Sequence, residues 1–165
     1  MPNKTYNVLV LCTGNSARSI LGEVLFNALG KGKFRAYSAG SKPAGRVNPG
    51  ALEWLKENGY GTEGLRSKSW DEFAAPGAPE FDFIFTVCDN AAGETCPFWP
   101  GKPASAHWGI PDPAHIEGEE ARRAAFNKAA AQLSRRIRAF LALPFETMDK
   151  DVLKQKLAEI GRIQD

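Results

Sequence analysis

A short segment near the start of the chain combines a cysteine, an arginine and small polar residues at a spacing suited to oxyanion chemistry. It lies between an apolar run and a helical pattern and consists of Cys12-Thr13-Gly14-Asn15-Ser16-Ala17-Arg18-Ser19. The backbone N–H groups of such a loop can surround one anion, and the start of the following helix adds donors and a positive dipole end. Arg18 can bind two oxygens of a tetrahedral oxyanion. The same donors stabilise a thiolate, so we expect Cys12 to be a nucleophile at neutral pH.

The curl of this loop requires unusual backbone conformations. Gly14 is expected to adopt the left-handed region, and Asn15 can adopt it as well. Ser19 is expected to donate a hydrogen bond to the Cys12 sulfur. The competing interpretation is an ordinary turn that contains a cysteine and an arginine without function, but the position between a strand and an amphipathic helix favours the oxyanion loop.

The loop and several later segments resemble the low-molecular-weight protein tyrosine phosphatase superfamily, and in particular the arsenate reductases built on that fold. The later segments are Ser38-Ala39-Gly40-Ser41, Val47-Asn48-Pro49, the stretch with Cys88 and Cys96, and Trp108-Gly109-Ile110-Pro111-Asp112-Pro113. The resemblance implies that Cys12 is the nucleophile, that Arg18 binds the oxyanion and that Asp112 is the general acid. It also implies that Thr13 to Ser19 line the oxyanion site.

Two departures from the phosphatase pattern weigh against a tyrosine phosphatase, which is the alternative function. Ala17 stands where phosphatases of this fold usually have a second cysteine, and Ala114 stands where an aromatic residue usually follows the Asp-Pro pair. Neither change removes the oxyanion loop.

Cys88 and Cys96 favour arsenate reduction, because this reaction takes two electrons from thiols. Cys88 ends a predicted strand, and Cys96 follows in a polar segment before Pro97. A relay in which Cys88 attacks the Cys12 sulfur and Cys96 then attacks Cys88 suits their positions. Two alternatives remain open: both cysteines are inert, or the three thiols form a binding site for arsenite or a soft metal.

The same resemblance bears on cofactors and partners. We expect no tightly bound cofactor and no zinc site, since His107 and His115 lack ligand spacing. Asn15, Glu23 and Ser38 match positions that hold a potassium ion in some members. Arsenate is the expected substrate, with phosphate as a competitor. The expected reductant is thioredoxin, with glutaredoxin or a low-molecular-weight thiol as the alternative.

Composition excludes several other classes of protein. The 165 residues suit one domain spanning 1–165, and 21 basic against 19 acidic residues give no case for nucleic-acid binding. No apolar run approaches the roughly 20 residues that span a bilayer, and the first strand is too short for a signal sequence. Three cysteines are too few for a secreted disulfide framework, so we expect a cytoplasmic protein.

Apolar periodicity predicts strands that alternate with helices. The predicted strands are Tyr6–Cys12, Phe34–Ala39, Phe81–Cys88 and Ser105–Ile110. The predicted helices are Ser19–Leu29, Asn48 to about Asn58, a short one with a Ser69/Glu72 capping box, Glu119–Leu143, and one capped by Thr147 that ends at Ile160. This rhythm predicts an α/β three-layer sandwich whose central four-stranded parallel sheet carries helices on both faces, as in the low-molecular-weight phosphatases. Cys12, Cys88 and Asp112 should then lie at the carboxyl edge of the sheet.

Overall fold

A single parallel sheet organises the chain in the computed structural model, which describes residues 5–75, 77–87, 104–110, 113 and 116–163. Its strands are β1 (Tyr6–Leu11), β2 (Phe34–Ala39), β3 (Phe83–Thr86) and β4 (Ala104–His107). Their order is β2-β1-β3-β4, and every neighbouring pair is parallel. The predicted four-stranded parallel sheet is therefore confirmed, with observed strands somewhat shorter than the apolar runs.

The helices follow the strands as the periodicity predicted. They are α1 (Arg18–Leu29), α2 (Pro49–Glu57), α3 (Asp71–Ala74), α4 (Glu119–Leu141) and α5 (Lys150–Ile160), with a 3-10 turn at Phe145–Thr147 before α5. Asn48 caps α2 through its side chain, which accepts from the Gly50 N–H at 2.8 Å. Gly59 lies just beyond the end of α2 with a φ of 83°, as expected for a left-handed stop.

Two predicted caps are wrong, each because the side chain has another partner. Ser69 and Glu72 form no capping box: α3 begins after Trp70, and the Glu72 carboxylate accepts hydrogen bonds from Arg66 instead. Thr147 does not cap the last helix, because it ends the 3-10 turn and its hydroxyl donates to the Pro144 carbonyl. Asp149 takes the N-cap position of α5.

Alternate side chains of β1 point to two different cores. Val8 and Val10 pack in the larger core, which α1, α2, α4 and α5 cover. Leu9 and Leu11 pack on the opposite face in a smaller cluster with Trp70, next to α3. These four side chains are all buried, as expected in a central strand of a covered parallel sheet. None of the helices within the described residues is long and apolar enough to cross a membrane.

Candidate active site

Cys12 lies directly beyond the carboxyl end of the central strand. Its side chain is buried, and its backbone N–H donates to the Ala39 carbonyl of β2 at 3.2 Å. Gly40, the residue directly after β2, has no room for a side chain: a Cβ atom there would lie 2.7 Å from the Cys12 carbonyl oxygen. The close approach of the two strand ends therefore fixes where the loop begins.

Three carbonyl groups of the loop are bonded to segments outside it and so point away from its centre. Backbone N–H groups of the segment 42–48 donate to the carbonyls of Thr13, Gly14 and Ser16 at 2.9–3.0 Å. The Ser67 hydroxyl also donates to the Gly14 carbonyl at 3.0 Å. The C=O and N–H of a trans peptide point in opposite directions, so each outward carbonyl turns the following N–H inward. This is the donor arrangement that an oxyanion loop requires.

Asn15, and not Gly14, takes the left-handed conformation in this loop, so the expectation for Gly14 is wrong. Asn15 has a φ of 45° and is fully buried. Its side-chain oxygen accepts from the Lys68 backbone N–H at 2.9 Å, and its amide group donates to the Ser19 hydroxyl at 2.8 Å. These two bonds stabilise a conformation that asparagine tolerates better than most residues. Donation from Ser19 to the Cys12 sulfur stays a prediction.

Arg18 joins the oxyanion loop to the segment that follows β4. Its Nη1 atom donates to the Ile110 carbonyl at 3.1 Å, and its side chain is half-buried. Backbone bonds attach the Ile110 segment to the end of β3: the Trp108 N–H donates to the Thr86 carbonyl at 2.7 Å, and the Ile110 N–H donates to the Val87 carbonyl at 3.1 Å. The oxyanion loop and the segment of residues 108–110 thus meet at the carboxyl edge of the sheet.

Arg136 is a buried residue of α4 that sequence analysis missed. Its Nη1 atom donates to the carbonyls of Trp108 (2.8 Å) and Gly109 (3.0 Å), and its Nη2 atom donates to the Ile163 carbonyl (3.1 Å). Two arginines therefore bind three successive carbonyls, those of residues 108 to 110. The available signal was the position of Arg136 on the same helical face as Leu133 and Phe140.

Lys68 is a second buried cation near the loop, and it too was missed. Its ammonium lies 3.7 Å from a Glu23 carboxylate oxygen, and the Ser38 hydroxyl donates to the same oxygen at 2.5 Å. Burial lowers the pKa of the Lys68 ammonium, and the Glu23 charge opposes that shift. The Asn15, Glu23 and Ser38 positions that the resemblance linked to potassium are thus grouped round Lys68. Potassium binding there stays a prediction.

Three predicted site residues, Cys88, Cys96 and Asp112, lie outside the described residues, and so do Ala114 and His115. His107 is exposed and shares a 2.7 Å hydrogen bond with the Thr86 hydroxyl, which fits a surface role. Within the described ranges, no group of three His, Cys, Asp or Glu side chains could hold a metal ion.

Comparison with known proteins places this geometry in context. A model of the low molecular weight phosphotyrosine protein phosphatases matches residues 7–156. An arsenate reductase of Halalkalibacterium halodurans is 34% identical over 134 residues, which are 81% of this chain and 93% of that protein.

Solved structures agree with the sequence comparison. The crystal structure of arsenate reductase from Archaeoglobus fulgidus superimposes with a TM-score of 0.60 at 30% identity, covering 79% of this chain and 98% of that one. A thioredoxin-dependent arsenate reductase of Corynebacterium glutamicum shares the fold, with a TM-score of 0.59 at 24% identity over 84% of this chain and 61% of the other. The order of the four parallel strands, the oxyanion loop after β1 and these matches lead to one conclusion: this chain belongs to the low molecular weight phosphotyrosine protein phosphatase family.

Proposed function

We propose that the protein is an arsenate reductase that converts arsenate to arsenite at Cys12. The observation that carries the proposal is the loop itself, in which a buried cysteine at the edge of a parallel sheet is followed by three carbonyls bonded outside the loop and by an arginine. The relatives named arsenate reductase support this choice within the family.

The first step forms an adduct between Cys12 and arsenic. The Cys12 thiolate attacks the arsenic atom, a bond from arsenic to one oxygen breaks, and this oxygen leaves as water after protonation. Arg18 and the loop N–H groups bind the remaining oxygens, and we assign the proton donor to Asp112. The positive donors around Cys12 stabilise its thiolate before attack.

The second step transfers two electrons from sulfur to arsenic. The Cys88 thiolate attacks the Cys12 sulfur, a Cys12–Cys88 disulfide forms, and arsenite leaves with the electron pair of the sulfur–arsenic bond. The Cys96 thiolate then attacks Cys88, which releases Cys12 as a thiolate and leaves a Cys88–Cys96 disulfide. A thiol reductant reduces this disulfide; we propose thioredoxin, with glutaredoxin or a small thiol as the alternative. Such chemistry requires a reducing compartment, so we place the protein in the cytoplasm.

A coupled assay tests the function. NADPH consumption is followed with arsenate, thioredoxin and thioredoxin reductase, and repeated with glutaredoxin, glutathione and glutathione reductase. We expect arsenate-dependent consumption with one of the two systems and none with the Cys12→Ser variant. The alternative is a tyrosine phosphatase, an activity that the name of the family includes. It would be supported if neither system consumed NADPH and the protein hydrolysed p-nitrophenyl phosphate at the rate of a dedicated phosphatase. Phosphate is expected to compete with arsenate for the oxyanion site, whichever reductant is used.

A further inference from the structure

Lys68 occupies the centre of a small buried polar cluster beside the oxyanion loop. Only 8% of its side chain is exposed. The ammonium donates to the Arg66 carbonyl at 3.0 Å and lies 3.7 Å from Glu23, whose carboxylate also accepts from Ser38. By contrast, the Lys33–Glu146 ion pair lies at the surface, with both side chains about half exposed.

The backbone of Lys68 connects this cluster to the loop. Its N–H donates to the side-chain oxygen of Asn15. Asn15 is the residue of the loop that has the left-handed conformation. The Lys68 carbonyl accepts from the Gly40 N–H at 2.9 Å, and Gly40 packs against the Cys12 carbonyl. The backbone that carries the Lys68 ammonium is therefore bonded directly to the loop and to the residue that packs against Cys12.

We propose that Lys68 is a built-in cation that replaces a free potassium ion beneath the oxyanion loop. Glu23 and Ser38 supply hard oxygen atoms that suit either an ammonium or potassium, and these two cations are similar in size. A potassium ion at Glu23 would lie against the Lys68 ammonium, and repulsion between like charges in a partly desolvated site opposes this. Glu23 and Ser38 therefore suit a single cation, and that cation is the Lys68 ammonium. The inference holds whether the loop processes arsenate or a phosphate ester.

Thermal unfolding in different salts tests the proposal without reference to activity. The melting temperature is measured in KCl, NaCl and choline chloride at equal ionic strength. We expect the wild-type protein to melt at the same temperature in all three. Lys68→Ala leaves Glu23 without its counter-charge and opens space, so its melting temperature should fall by roughly 5 °C in choline chloride. KCl should restore about half of that loss, and NaCl less, because sodium is smaller than the ammonium.

Three further variants separate charge from packing. Lys68→Met keeps the aliphatic stem and should also melt lower than the wild type, with weaker rescue by KCl. Lys33→Ala removes the exposed ion pair, so it should show neither the lower melting temperature nor the recovery in KCl. Glu23→Gln combined with Lys68→Ala should abolish the rescue. Two results would overturn the proposal. One is a wild-type melting temperature that is higher in KCl than in choline chloride. The other is a Lys68→Ala melting temperature that neither KCl nor NaCl raises above its value in choline chloride.

Discussion

The guanidinium of Arg18 lies 3.1 Å from the carbonyl oxygen of Ile110. This contact joins the oxyanion loop after β1 to the segment after β4, which leads within two residues to the predicted general acid Asp112. Arg18, the predicted anion-binding residue, thus also contacts the segment that precedes the predicted general acid. We infer that the two parts of the site are positioned relative to each other and not independently.

Arg18→Ala should weaken phosphate binding, because the charged donors to the oxyanion are lost. Charge-assisted hydrogen bonds of this kind contribute about 1.5–3 kcal/mol, which corresponds to roughly a 10–100-fold rise in Kd. Isothermal titration with phosphate checks this. Arg18→Lys keeps the charge but loses the bidentate geometry, so its Kd for phosphate should lie between those of the wild type and Arg18→Ala. Equal Kd values for all three proteins would remove Arg18 from the binding site.

Gly40→Ala should disrupt the loop, because the added methyl group would lie 2.7 Å from the Cys12 carbonyl oxygen. We expect a loss of about 1–3 kcal/mol in the free energy of unfolding and a matching loss of phosphate binding. Gly14→Ala is the matched control. The nearest atom to a Cβ at Gly14 is the Ser16 hydroxyl oxygen at 3.7 Å, so urea unfolding of this variant should resemble that of the wild type. The reverse ranking of the two variants would contradict the observed packing.

Arg136→Met should destabilise the protein, because three carbonyl groups would lose their donor. The expected decrease in the free energy of unfolding is about 2–4 kcal/mol, and phosphate affinity should decrease as the Ile110 segment shifts against Arg18. Arg138 lies on the exposed face of the same helix, so Arg138→Met controls for a lost charge in α4. If denaturant unfolding shows the same stability for both variants, Arg136 does not hold the 108–110 segment.

Sequence patterns predicted the parts of the fold that depend on local signals. The Asn48-Pro49 start of α2, the left-handed Gly59 and the β1 core follow from capping, backbone freedom and apolar periodicity. Cys12 and Arg18 were identified from their spacing around a strand-to-helix turn, and the structure brings that turn to the expected edge of the sheet. These features need only neighbouring residues to specify them.

The missed features depend on partners far away in the chain. Arg136 is buried because carbonyls of residues 108, 109 and 163 accept its protons, and Lys68 because Glu23 lies across from it. Asn15 replaced Gly14 as the left-handed residue because Lys68 and Ser19 bond to its side chain. No local pattern encodes such contacts, which form only when the sheet assembles.

Acid should weaken the ion pair between Arg66 and Glu72. Hydrogen bonds from Arg66 hold the pKa of the Glu72 carboxyl below its ordinary value of 4.5. The folded pKa is the lower one, so the pair contributes fully above pH 4.5, and its contribution is lost as the pH falls through the folded value. Both side chains are more than one third exposed, so the effect is small and salt-sensitive.

This pH dependence is measured as the melting temperature between about pH 6 and pH 3 at low salt. Glu72→Gln lacks this contribution at every pH, so its melting temperature should lie slightly below that of the wild type above pH 4.5, and the two curves should converge as the pH falls. A variant curve that falls as steeply as the wild-type curve would assign acid sensitivity to other carboxyl groups.

The amount of arsenite released by the Cys96→Ser variant tests the thiol relay most directly. The variant is mixed with arsenate without other thiols, arsenite is quantified, and a non-reduced digest is examined by mass spectrometry. The relay predicts one equivalent of arsenite per protein and a Cys12–Cys88 disulfide, whereas Cys88→Ser should release none. Sustained turnover of Cys96→Ser with thioredoxin at the wild-type rate, or arsenite release without a disulfide at Cys12, would contradict the mechanism.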